Sequence, residues 1–86
     1  MSNEKLRTIV DRAKVALLQS PDVEAVGWAL VADADKAEAR VRLKDGRCGM
    51  ALVTGKGLTV DAKTAVLSAF AKALARAFSA TKSELS

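Results

Sequence analysis

Arg40-Val41-Arg42-Leu43-Lys44-Asp45-Gly46-Arg47-Cys48-Gly49-Met50-Ala51-Leu52 is the stretch that decides the fold. Asp45-Gly46 is a dipeptide favoured in two-residue type I′ hairpin loops, where both central residues need positive φ. Taking those two as the loop pairs Lys44 with Arg47, Leu43 with Cys48, Arg42 with Gly49, Val41 with Met50 and Arg40 with Ala51. One face of the hairpin then collects Val41, Leu43, Cys48, Met50 and Leu52. The other collects Arg40, Arg42, Lys44, Arg47, Gly49 and Ala51. A slip of one residue moves a strand's side chains to the opposite face, so this clean separation supports the register. The sequence therefore predicts a hairpin with an apolar inner face and a basic outer one.

Upstream, Val23 to Ala32 reads as a further strand, apolar on both sides, with Val26, Trp28 and Leu30 on one face. Asp33-Ala34-Asp35-Lys36 is the turn leading into the hairpin. A four-residue loop there pairs Trp28 with Val41 and sends the indole to the core. An odd loop count would place it beside Arg40 on the open face, and the core placement is favoured. Before this strand, Leu6, Ile9, Val10, Ala13 and Leu17 repeat at helical spacing. Ser2 and Asn3 can cap that helix, and Ser20-Pro21-Asp22 stops it, which predicts a helix over 3–19. Downstream, Thr54-Gly55-Lys56-Gly57 reads as a flexible strand-to-helix connection. Thr59 or Asp61 is expected to cap a last helix whose buried stripe is Leu67, Phe70, Leu74, Ala77 and Phe78.

The order is α-β-β-β-α, an α+β fold: a three-stranded antiparallel meander with two helices packed on one face. The chain has 86 residues, half of them hydrophobic, which allows one domain over 1–80 with a frayed polar tail at 81–86. It lacks an apolar run long enough to span a membrane, and the charged amphipathic N-terminus does not read as a signal peptide, so a cytoplasmic location is expected.

Histidine and tyrosine are both absent, and one cysteine permits neither an internal disulfide nor a zinc-ligand set. Cys48, opposite Leu43 in this register, reads as a small buried hydrophobe rather than a nucleophile. Asp33 and Asp35 are read as turn residues, and Gly55-Lys56-Gly57 lacks the spacing of a phosphate loop. No catalytic residue, metal site or cofactor is expected. Charge is more informative. Residues 1–39 carry five basic and seven acidic side chains, whereas 40–76 carry eight basic and two acidic. Arg40, Arg42, Lys44 and Arg47 alternate onto the outer sheet face, with Lys56 at its rim, and small neighbours leave the guanidinium groups accessible. That pattern suits an acidic or phosphate-bearing macromolecular partner. Self-pairing in a homodimer would need acids such as Glu24 or Glu38 from the second copy.

The α-β-β-β-α order, with Ala62-Lys63-Thr64-Ala65 near the start of the last helix, resembles the double-stranded-RNA-binding domain, and this resemblance implies nucleic-acid binding. In size and make-up the chain also resembles small inhibitors encoded by phages and prophages, of which the anti-CRISPR proteins are the best-known group. That resemblance implies a non-enzymatic protein that occludes a surface of a macromolecular complex.

Overall fold

Val10 and Ala13 are buried, and Leu6, Ile9 and Leu17 pack beside them, so the apolar repeat at the N-terminus forms α1 (Asn3–Leu18) with that stripe inward. The computed structural model describes residues 3–31 and 35–80. The Ser2 cap, the Asn3 side chain, Asp33 and the tail at 81–86 lie outside the described residues. Three strands follow α1: β1 (Val23–Val31), β2 (Lys36–Leu43) and β3 (Cys48–Thr54), and α2 (Gly55–Ser79) ends the chain. The sheet is antiparallel in the order β1-β2-β3, and both helices cover the same face. Neither helix is long and apolar enough to cross a membrane.

The hairpin register differs from the expected one by a single position on β3. Arg42 pairs with Cys48, Val41 with Gly49, Arg40 with Met50 and Ala39 with Ala51. The Leu43 carbonyl accepts from the Gly46 amide at 3.0 Å, and the Leu43 amide donates to the Arg47 carbonyl at 2.8 Å. Gly46 alone in the turn has a positive φ, 96°. Lys44, Asp45 and Gly46 thus form a three-residue loop, an ordinary turn closed by a left-handed glycine, rather than the type I′ loop. Lys44 and Arg47 do not pair. The shift leaves β2 as expected but turns β3 over. Gly49 and Ala51 enter the core, while Cys48, Met50 and Leu52 face outward.

α2 explains why the small residues of β3 face inward. Its buried stripe is Leu58, Ala62, Val66, Ala69, Phe70, Ala73 and Ala77, whereas the expected Leu67 and Phe78 are 48% and 44% exposed. Alanine on the helix meets Gly49 and Ala51 on β3 and Ala37 and Ala39 on β2, so the two layers approach at backbone distance. Arg76 fastens this contact by donating from Nη1 to the Met50 carbonyl at 2.7 Å.

β1 pairs with β2 through Val26–Val41, Trp28–Ala39 and Leu30–Ala37. Trp28 therefore lies two positions from its expected partner. An even shift preserves the face, so the indole points inward, its ring centroid 5.7 Å from that of Phe70. A bulge between Val23 and Ala25 inserts one residue and brings Val23, 3% exposed, onto the core face.

α2 begins earlier than expected. The Thr54 hydroxyl accepts from the Gly57 amide at 3.1 Å, making Gly55-Lys56-Gly57 the first helical turn rather than a flexible connection. Asp61 leaves helical geometry at φ −153°, ψ 87° and caps the main segment as expected, accepting from the Thr64 amide at 3.2 Å and hydroxyl at 2.8 Å.

Candidate functional site

With both helices on one side, the other face of the sheet is uncovered among the described residues. Strand pairing arranges it in four rows: Ala25–Arg42–Cys48, Gly27–Arg40–Met50, Ala29–Glu38–Leu52 and Val31–Lys36–Thr54. Side chains alternate along β2, which buries Ala37, Ala39, Val41 and Leu43 and sends Arg40 and Arg42 outward. Their side chains are 65% and 55% exposed. Small residues do flank the two arginines, but they are Ala25 and Gly27 of β1, not Gly49 and Ala51.

Each arginine is held by one acid of its own chain. Arg40 Nε pairs with Glu38, two residues away on the same strand. Arg42 Nε lies 3.2 Å from Glu24 Oε2 at the β1 bulge. Glu24 and Glu38, offered by the sequence as acids for a second copy, thus meet arginines within the chain. A guanidinium carries five N–H donors, and these contacts engage only Nε, leaving the terminal groups available for an incoming acceptor. Exposed pairs of this kind contribute little to stability, typically below about 1 kcal/mol, but they orient the side chains.

The remaining expected contacts separate. Lys44 is in the hairpin turn, where its amide donates to the Asp22 carbonyl at 3.0 Å. Arg47 is committed elsewhere: its Nε lies 2.8 Å from Asp45 Oδ2 and its Nη1 donates to the Phe78 carbonyl at 2.9 Å. Its guanidinium carbon stands 5.9 Å from the Phe78 ring centroid. A cation at the C-terminal end of α2 complements the helix dipole, so Arg47 clamps hairpin to helix rather than extending the basic face. Lys56 is in the first turn of α2, two residues past Thr54 and at the opposite end of the sheet from Arg42. The structure brings Arg40 and Arg42 together and disperses the other three.

Three contributors were missed in the sequence. Met50 and Cys48 reach the face through the register shift, Met50 being 46% exposed. Cys48 is exposed rather than buried, its thiol donating to the Gly46 carbonyl at 3.5 Å. Arg76 arrives from α2. Its position follows from the alanine stripe of that helix, a signal present in the sequence at Ala62, Ala69, Ala73 and Ala77. Together Ala25, Gly27, Arg40, Arg42, Met50 and Arg76 border a shallow, solvent-open trough of ≈ 850 Å³. Arg40, Arg42, Lys36 and Arg76 against Glu24 and Glu38 leave a positive surplus around it.

Comparisons with protein families, with curated proteins and with solved structures find no match to this chain.

Proposed function

We propose that this chain is a non-enzymatic binding protein that acts in the cytoplasm by occluding an acidic or phosphate-bearing surface of a macromolecular partner, in the manner of the anti-CRISPR inhibitors it resembles in size and make-up. The supporting observation is the pair Arg40 and Arg42, oriented by Glu38 and Glu24 on a sheet face that neither helix covers. An ordered cationic face of this kind steers association and fixes orientation, while apolar neighbours supply contact area. The test is the double reversal Arg40→Glu, Arg42→Glu. Both side chains are exposed, so the circular dichroism spectrum should stay unchanged while capture of the partner from host lysate is lost. Retained capture by the reversed protein removes the reading.

A second reading, a nucleic-acid-binding module on the same surface, draws on the net charge of +4 and pI of about 9.6. It requires binding to duplex DNA or RNA that weakens log-linearly with salt as counterions are released. No binding to either at low salt disposes of it. Self-association through this face would show as a doubled mass in light scattering.

A further inference from the structure

The trough over Gly27 has a chemistry of its own. Its rim carries three guanidinium groups, Arg40, Arg42 and Arg76, while its floor is formed by Ala25, Gly27 and the flank of Met50. Among the described residues, no side chain fills the floor. A Cβ added at Gly27 would meet only Arg40 Cβ, at 3.8 Å, so space for a side chain opens directly beside that arginine. The acid pairs of Arg40 and Arg42 are made through Nε on largely exposed side chains, and Arg76 spends one Nη1 bond on the Met50 carbonyl. A phosphate backbone would use the cations but waste the apolar floor, since it offers charge without a side chain to bury. A protein segment uses both, because carboxylates form forked pairs with arginine while an apolar neighbour is desolvated between them.

Resting on the reading above that this face docks a partner, we infer that the trough seats an apolar side chain of an acidic protein segment, with flanking Asp or Glu carboxylates on Arg40, Arg42 and Arg76. Gly27 is the specificity-determining position, because its missing side chain is what the partner replaces.

Selection of random peptides about twelve residues long on the immobilised protein tests this directly. Enriched peptides should carry an aliphatic or aromatic residue flanked by carboxylates. Gly27→Leu, which keeps every charge, should weaken them about tenfold or more, and Met50→Glu should do the same by repelling their carboxylates. Urea midpoints should stay within error of the parent for both variants, since both positions are open. Enrichment of neutral or basic peptides, no enrichment at all, or full affinity in both variants overturns the assignment. So does single-stranded or duplex RNA that binds as tightly as the peptides and competes with them, or self-association that Gly27→Leu breaks. If Arg40→Glu, Arg42→Glu abolishes partner capture while Gly27→Leu and Met50→Glu do not, the face is used but the trough is not.

Discussion

A Cβ built on Gly49 would stand 2.1 Å from the Ala73 carbonyl oxygen and 2.3 Å from the Ala77 amide nitrogen. Both are backbone atoms of α2, so the clash cannot be relieved by rotating a side chain. The helix would have to lift off β3 along the row where alanine meets glycine. Overpacking of this kind costs on the order of 3 kcal/mol, and a domain of this size has only a few to lose. Gly49→Ala should therefore lower the urea midpoint steeply or leave the chain unfolded, whereas Gly27→Ala, on the open face of the same sheet, should change it little. Equal midpoints for Gly49→Ala and the parent would mean that the helix does not approach as closely as described. The comparison also shows why charge and hydropathy alone misplace β3. At Cys48-Gly49-Met50-Ala51-Leu52 both faces are apolar enough to be buried, and hydrophobicity alone assigns the larger set inward. What decides the matter is size: α2 offers alanines, and only Gly49 and Ala51 let them close.

At the scale of the element, α2 is two helical segments joined at Asp61, each with its own cap, Thr54 and Asp61. The Thr64 hydroxyl and, less strongly, its amide hold the Asp61 carboxyl below its ordinary value, and nearby Lys63 adds to this. A carboxyl depressed in the folded state stabilises above its unfolded pKa, and that contribution drains away as pH falls through the folded value. Asp61→Ala should therefore be less stable than the parent at neutral pH, and urea unfolding should show the gap narrowing below about pH 4. A gap that is constant with pH would show that the ionised cap does not matter. Asp61 was legible as a cap because an Asx residue before an alanine-rich run is a strong helix start. The preceding turn was not, since Gly55-Lys56-Gly57 has poor helix propensity and is helical only because Thr54 satisfies the Gly57 amide. The hairpin turn was misread for a related reason. Asp45-Gly46 suits either a two-residue loop or the end of a three-residue one, and only the fit of α2 on β3 selects between them. On β2 the alternation of Ala37, Ala39, Val41 and Leu43 with Arg40 and Arg42 was unambiguous, so the heart of the candidate site was readable. Arg47 was not, because its contact with Phe78, 31 residues away, comes from the three-dimensional fold.

Across the whole molecule, burial is concentrated in β2 and α2. Phe70, Leu43, Val41 and Val66 are the largest fully buried side chains, and Ala37, Ala39, Ala73 and Ala77 are sealed between the same two elements. α1 contributes Val10 and Ala13, both 5% exposed, while Val15 and Leu18 remain 57% and 47% exposed. Helix and sheet layers with few apolar contacts open at lower free energy than the centre of the core. α1 should consequently exchange its amide hydrogens through a sub-global opening that leaves the three strands and α2 folded, with the open sheet face intact. Hydrogen exchange followed by mass spectrometry or NMR at increasing, sub-denaturing urea checks this. The α1 amides should show a smaller urea dependence and protection about tenfold or more below that of Val41, Leu43 and Phe70. Merging of α1 with the slowest amides at all urea concentrations would instead make the molecule one cooperative unit. The distinction bears on the proposed function, because a face carried by β1 and β2 keeps its geometry only while those strands stay paired. Separate opening of α1 would leave Arg40, Arg42 and their acids in register, so binding of the proposed partner should protect β1 and β2 further without slowing exchange in the first helix.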